Sequence, residues 1–172
     1  QTPPVIPAGV TVAGVDVGGL TEEQAEETVQ AFFDQPLLLH FGARIIGVQP
    51  ATLRARARVV LAVRNAFAAP PGDAVPLEVL VNERALRLWI NKRARVFRRA
   101  PVSTRAVLSG LTPHLTAPRL GRELMTYYGR LTLMHALRKH TRDVTMPWRT
   151  LRPPRTPSNH GPVVVIHRGS KR

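Results

Sequence analysis

The chain has 172 residues, of which 44% are hydrophobic and 21% charged, and this composition is typical of a globular domain rather than a disordered tail or a collagen-like rod. It contains no cysteine, which excludes disulfide bonds, thiolate metal sites and a thiol nucleophile within this chain. Its formal net charge is +14, and no apolar run reaches the roughly 18 residues that a membrane-spanning helix requires.

The N-terminal residues predict an extended segment followed by a helix. Valine recurs at positions 10, 12, 15 and 17, and the two glycines after it predict a turn. Thr21 and Gln24 have the spacing of a capping box, and Pro36 is expected to end the helix. The predicted apolar side of this helix consists of Ala25, Val29, Phe32 and Phe33.

A hairpin and a second helix are predicted next. PLLLHF and RIIGV flank Gly42 and Ala43, which is a hairpin pattern. The second helix is predicted from about residue 51 to 68, and the proline-rich segment 68–74 that follows is a candidate linker. The side chains expected to face inward are Leu53, Ala57, Val60, Leu61 and Phe67.

The rest of the chain repeats this order of elements. Alternating apolar residues predict a half-buried strand over 75–81, and Asn82 is expected to cap a helix that ends at Phe97. A hairpin is predicted around Ser109 and Gly110, and strands are predicted over 143–148 and 162–167. Between them, a helix is predicted from about 122 to 139, with Leu124, Tyr128, Leu131 and Met134 buried.

These elements predict an α+β fold built from two helix–hairpin–helix repeats, near 21–68 and 82–139, packed as a mixed scaffold. The expected domains are an N-terminal repeat lobe over 1–74 and a C-terminal repeat lobe over 75–160. The pattern leaves open whether the repeats share one core or form two lobes.

The sequence shows no arrangement typical of catalysis or metal binding. His135 and His140 are five residues apart and do not share a helix face, and no carboxylate pair accompanies them. Of the serines, only Ser158 has a histidine nearby, and the acidic residues after residue 43 are scattered. We therefore expect no cofactor, no metal site and no enzymatic activity of this chain by itself.

The charge is unevenly distributed along the chain. Residues 1–43 contain six acidic residues and no Lys or Arg, whereas the remainder carries all 25 basic residues and five acidic ones. Such a potential attracts nucleic acid, anionic lipid or acidic cell-wall polymers. A solvated basic surface that serves only solubility is the alternative, because the arginines are spread over several elements.

Nucleic-acid binding is the alternative function that the charge favours. Aromatic residues make up only 5% of the chain, and no aromatic stacking platform is apparent. Trp89, Trp148, Tyr127 and Tyr128 are predicted on inner faces, where core packing is their usual role. Specific recognition of nucleic acid is therefore not expected.

Several segments resemble a known family. The opening GVTVAGVDVGGLTEEQAEE is similar to the start of the peptidoglycan-binding domain that precedes the catalytic domain of YkuD-type L,D-transpeptidases, and that also occurs in vancomycin-resistance W-type proteins. The core of that domain resembles APVSTRAVLSGLTPHLTAPRLGREL and TRDVTMPWRTLRP, and its junction with the transpeptidase domain resembles GPVVVIHRGSKR. The resemblance therefore implies that residues 161–172 form a junction that contains the first strand of an absent downstream domain. The Ser-His-Gly-Cys box of the catalytic domain is only superficially echoed by Ser158-Asn159-His160-Gly161, so no catalytic residue is carried over.

The resemblance implies a non-catalytic module that binds peptidoglycan or an anionic wall polymer, or serves as a spacer, and positions a downstream transpeptidase domain. It also implies an extracytoplasmic location, membrane-anchored or associated with the cell wall. Guanidinium groups suit carboxylates and phosphates alike. The candidate contact residues are Arg93, Arg98, Arg99, Arg149 and Arg152.

Overall fold

The computed structural model describes residues 3–109 and 112–154, which contain both helices and short strands and confirm the α+β class. The helices are Glu22–Phe33 (α1), Val59–Ala68 (α2), Glu83–Phe97 (α3) and Thr126–Lys139 (α4), with a 3-10 helix at Pro50–Leu53. The predicted strand over 162–167 and the junction over 161–172 lie outside the described residues. Within the described ranges, no helix is long and apolar enough to cross a membrane.

The strands of the described residues are short and belong to five small sheets. In chain order they are Thr11–Val12 (β1), Val15–Asp16 (β2), Leu37–Phe41 (β3), Arg44–Val48 (β4), Ala55–Ala57 (β5), Ala74–Val75 (β6), Val79–Val81 (β7), Ala106–Ser109 (β8), Thr112–Leu115 (β9), Gly121–Leu124 (β10), Asp143–Thr145 (β11) and Trp148–Leu151 (β12). The predicted hairpins β3–β4 and β8–β9 are both present.

The predicted extended segment at the N-terminus is instead a tight hairpin. β1 pairs antiparallel with β2, and the two residues between them, Ala13 and Gly14, have φ values of 50° and 84°. Two positive φ angles in a two-residue loop match the right-handed twist of the paired strands. β1 also pairs in parallel with β6, so this hairpin is joined to the segment after α2.

Helix α1 forms as its capping signal predicts. The Thr21 side chain accepts a hydrogen bond from the backbone N–H of Gln24, and the Gln24 side chain accepts one from the backbone N–H of Thr21. Of the predicted apolar face, Ala25, Val29 and Phe33 are buried. Phe32 is half-buried.

The prediction for the second helix is wrong in its first half and in its inward face. Arg54 ends the 3-10 helix in the left-handed region at φ 52°, and β5 follows, so α2 begins only at Val59. Val60 and Leu61 are 47% and 44% exposed. The buried face of α2 is Val59, Ala62, Val63 and Ala66.

In the second half of the chain, α3 agrees with its prediction and α4 begins later than expected. The Asn82 side chain accepts a hydrogen bond from the N–H of Ala85, as predicted for the N-cap of α3. The predicted start of α4 is strand β10, because these residues pair with β12. Tyr128 and Leu131 were expected to be buried but are 54% and 38% exposed. The buried residues of α4 are Gly129, Leu133, Ala136 and Leu137.

The buried apolar side chains form one cluster, from Ile6 to Met146. Strand β11 pairs in parallel with β3, and β5 pairs antiparallel with β7. Both pairs connect segments that lie far apart in sequence. The predicted strand over 75–81 is divided into β6 and β7, which pair with different partners.

Arg142 joins the end of α1 to the segment between α4 and β11. Its Nη1 donates to the carbonyl oxygens of Gln35 at 2.7 Å and Phe33 at 3.4 Å, and its Nη2 donates to that of Phe32. The guanidinium carbon lies 4.9 Å from the centre of the Phe32 ring. Because the last carbonyls of a helix lack partners within the helix, Arg142 supplies donors and a favourable charge where α1 ends.

Candidate polyanion-binding site

The site is built on a ribbon in which β10 lies between β12 and an extended segment around Arg99 that is joined to it by an antiparallel bridge. β12 pairs with one side of β10, from Gly121 opposite Leu151 to Leu124 opposite Trp148. On its other side, the N–H of Arg99 donates to the carbonyl oxygen of Arg122 and the N–H of Arg122 to that of Arg99, both at 2.8 Å. Successive side chains of a strand point to opposite faces, so the ribbon presents two distinct surfaces.

One face of the ribbon carries two arginines and one carboxylate. Glu123 lies directly opposite Arg149 on β12, and its Oε1 contacts Nη2 of Arg149. Nε of Arg98 lies 3.7 Å from Oε2 of the same residue. One carboxylate is therefore shared between two guanidinium groups, which neutralises half of their charge. The Glu123 side chain is only 22% exposed.

The other face carries two arginines side by side. Arg99 and Arg122 exchange both backbone hydrogen bonds, so their side chains leave the ribbon on the same side. No carboxylate of the described residues forms an ion pair with either of them. Like charges directly opposite each other destabilise a strand pair, so this arrangement costs stability when no anion is bound.

Aromatic rings support this second face. The rings of Phe41 and Phe97 stack at 4.6 Å, and the Trp148 ring meets the Phe97 ring edge-on at 6.4 Å. The guanidinium carbon of Arg122 lies 5.2 Å from the centre of the Trp148 ring, and that of Arg44 lies 5.9 Å from the centre of the Phe97 ring. A guanidinium that rests on an aromatic face keeps its N–H groups available at its edge for an anion.

Arg122 also extends toward the turn between β3 and β4. A Cβ placed on Gly42 would lie 3.1 Å from Nη1 of Arg122, and Arg44 follows two residues later. Arg44 and Arg122 therefore lie over two neighbouring rings, those of Phe97 and Trp148, next to the same turn. We call Arg44, Arg99 and Arg122, together with the rings of Phe97 and Trp148, the arginine surface.

The structure separates the five arginines proposed from sequence. Arg99 belongs to the arginine surface, and Arg152 follows β12 two residues after Thr150, which lies opposite Arg122. The other three lie elsewhere: Arg98 and Arg149 share Glu123 on the opposite face, and Arg93 stacks on Trp89 of α3 with 5.3 Å between guanidinium carbon and ring centre.

Sequence reasoning missed Arg44 and Arg122. The sequence pattern predicts Arg122 at the start of a helix and Arg44 only as part of a hairpin. The pattern that could have indicated them is an arginine adjacent to aromatic residues in predicted strands, but it requires knowledge of which strands pair.

The aromatic predictions are confirmed for the tryptophans and wrong for the tyrosines. Trp89 and Trp148 pack against the core while remaining partly exposed. Tyr127 and Tyr128 are 60% and 54% exposed, with ring centres 5.4 Å apart, at the start of α4. Tyr127 also carries Arg130, whose guanidinium carbon lies 5.5 Å from the ring centre.

The described histidines and carboxylates form no metal site, and His140 belongs to the packing between helices. Across the described ranges, no cluster of three or more His, Asp or Glu residues has the geometry of a metal site. Burial and the nearby charge of Arg142 lower the pKa of His140 below its ordinary value of 6.5, and the Leu77 backbone partly offsets this. His140 lies beside the Phe32 ring at 6.0 Å, so its environment belongs to the packing of α1 against the end of α4.

Comparison with models of protein families, with curated proteins and with solved structures found no match for this chain. The resemblance to the domain that precedes L,D-transpeptidases therefore stays a prediction.

Proposed function

We propose that this chain is a non-catalytic module that binds peptidoglycan or an anionic wall polymer and positions an L,D-transpeptidase domain beside it. The observation that carries the proposal is the arginine surface, where Arg99 and Arg122 lie side by side without a neutralising carboxylate among the described residues. Real proteins depart from favourable charge pairing chiefly at functional sites. An anionic ligand would remove the repulsion that this pair creates.

The chemistry of the surface agrees with a polymeric anion. Guanidinium groups donate two parallel hydrogen bonds to a carboxylate or a phosphate, and both groups occur in cell-wall polymers. Arg152 is exposed and directly follows the end of β12, from where it could extend the contact along a chain of repeating charges.

We also propose that the module is built from two helix–hairpin–helix repeats and that it acts outside the cytoplasm. α1, the β3–β4 hairpin and α2 form one helix–hairpin–helix unit, and α3, the β8–β9 hairpin and α4 form the other, with the two helices of each unit packed together. Such a scaffold would act outside the cytoplasm, anchored to the membrane or associated with the wall. The downstream transpeptidase domain would be its partner in the full-length protein.

Co-sedimentation with purified sacculi at physiological salt tests the proposal. The triple variant Arg44→Gln, Arg99→Gln, Arg122→Gln is expected to bind about tenfold more weakly or worse, since even modest loss at each of three contacts multiplies. The control replaces three exposed arginines elsewhere, Arg56, Arg64 and Arg84, by Gln. Both variants have the same net charge, so only a local binding site distinguishes them.

Each outcome separates the competing functions. Equal loss in both triple variants would mean that net charge alone drives binding and would overturn the arginine surface as the site. If the wild-type chain does not sediment with sacculi, wall binding is wrong and the spacer role alone survives. A duplex DNA affinity that exceeds sacculus binding and falls steeply with salt would favour the nucleic-acid alternative.

A further inference from the structure

We propose that Arg99 and Arg122, assisted by Arg44, form a clamp for a single phosphoryl group. The ligand of the arginine surface is then a phosphate-bearing wall polymer, such as poly(glycerol phosphate), rather than the carboxylates of peptidoglycan stem peptides. The identification of the polymer rests on the proposed function, whereas the clamp itself rests only on the geometry.

The first argument is the facing pair. Residues that exchange both hydrogen bonds across antiparallel strands have Cα atoms about 5.5 Å apart, so two guanidinium groups leave the ribbon from neighbouring points. One guanidinium satisfies a carboxylate in a single plane through two parallel bonds. A phosphoryl group has additional oxygens in a tetrahedral arrangement and can accept from two guanidinium groups at once. Two adjacent arginines without a carboxylate therefore fit phosphate better.

The second argument is the way the chain brings the two arginines together. A Cβ placed on Gly121 would lie 2.5 Å from the carbonyl oxygen of Arg99 and from the backbone nitrogen of Pro101. Only glycine therefore lets the segment 99–102 lie this close to β10. The local backbone thus depends on a residue without a side chain to hold Arg99 opposite Arg122.

The third argument is that two of the arginines, Arg122 and Arg44, are held in place before any ligand binds. Arg122 rests on Trp148, and its Nη1 reaches Gly42, where a side chain would crowd it. Arg44 rests on Phe97, whose ring also contacts Trp148. Side chains fixed on rings lose less freedom upon binding, which favours affinity for a small anion.

Thermal unfolding of the chain in inorganic phosphate, compared with acetate at the same ionic strength, tests the clamp. A ligand at about 100-fold its Kd is expected to raise the Tm of a chain of this size by about 5 to 10 °C. Phosphate also stabilises proteins by exclusion from their surface, so the comparison uses variants. Arg122→Gln and Arg122→Lys are expected to lose at least half of the phosphate-specific rise, because lysine retains the charge but not the planar fork. Arg64→Gln is expected to keep it.

A rise of equal size in wild type and in Arg122→Gln would show general exclusion and overturn the clamp. So would an equal rise in phosphate and acetate. Gly121→Ala replaces no arginine but should displace the segment that carries Arg99. A folded Gly121→Ala chain that keeps the full response would therefore also count against the close approach of Arg99 and Arg122.

The polymer is tested with sacculi that retain their phosphate polymer and sacculi stripped of it. Tighter sedimentation with the first supports the phosphate-bearing ligand, and equal sedimentation overturns it. A phosphate response that depends on Arg122, without any binding to sacculi, supports the clamp and overturns the wall function. Binding to sacculi without a phosphate response overturns the clamp alone. Preference for duplex DNA over poly(glycerol phosphate) at equal phosphate concentration overturns the wall polymer as the ligand.

Discussion

Replacing Arg142 by methionine is expected to lower the free energy of unfolding by about 2 to 4 kcal/mol. The guanidinium group donates to three carbonyl oxygens at the end of α1 and lies over the Phe32 ring. Methionine keeps an apolar stem of similar length but has no donor and no charge. The substitution therefore removes the polar contacts while it preserves much of the packing.

The magnitude follows from the contacts that are lost. Hydrogen bonds from a charged donor contribute about 1.5 to 3 kcal/mol each when well formed, and less when they are partly exposed. The bond to the Gln35 carbonyl, at 2.7 Å, is well formed, whereas the one to Phe33, at 3.4 Å, is long. A positive charge at a helix C-terminus adds about 0.3 to 1 kcal/mol, and the contact with the Phe32 ring adds a similar amount.

Urea unfolding of wild type, Arg142→Met and Arg142→Lys measures this effect. Arg142→Lys is expected to lose about half as much as Arg142→Met, because an ammonium group cannot reach three carbonyl oxygens in one plane. Arg64, exposed on α2, provides the control, and Arg64→Met should change stability by less than about 0.5 kcal/mol. A loss at Arg142 no larger than at Arg64, with an unchanged m-value, would refute the role of Arg142 at the end of α1.

Three further predictions concern local structure and pH. Val63→Ala is expected to lower unfolding free energy by about 1 to 2 kcal/mol and Leu61→Ala by at most about 0.5, and the reverse order in urea unfolding would contradict the observed buried face of α2. Ala13→Asn is expected to raise Tm by about 1 to 4 °C, since asparagine tolerates the positive φ of this turn better than alanine, and a lower Tm would speak against the turn. Because the pKa of His140 is lowered in the folded chain, protonation favours unfolding, so stability is expected to fall as pH falls below 6.5. His140→Asn should lose that part of the pH dependence in urea titrations, and an unchanged profile would contradict the assignment.

The elements that sequence predicted correctly are those whose signals are local. The capping residues Thr21 and Asn82 act on N–H groups only three positions away, and the β3–β4 turn is two residues long. The errors at the starts of α2 and α4 have one cause. Strands β5 and β10 form because β7 and β12 pair with them, and those partners are more than 20 residues away in sequence. A local periodicity cannot reveal such a pairing.

The candidate site likewise combines residues that local sequence indicates with residues whose role depends on strand pairing. Charge in the sequence indicated Arg99, which the structure places opposite Arg122, and Arg152, which is exposed just after the end of β12. It also indicated Arg98 and Arg149, but the pairing of both with Glu123 depends on the alignment of three strands. The contribution of Arg122 depends on that alignment as well, since the ring that supports it lies on β12.

Because β3 pairs in parallel with β11, one edge of β3 cannot be completed until β11 has been synthesised. His40 on β3 and Asp143 on β11, whose side chains contact each other, are 103 residues apart. At ribosomal rates of about 5 to 20 residues per second, roughly 5 to 20 s pass between the synthesis of one and the other. During that interval one edge of β3, a strand with three buried apolar side chains, has no partner strand. Until translation has passed Thr145, this edge can pair with a strand of another chain, so β3 is the segment at which we expect incomplete chains to aggregate.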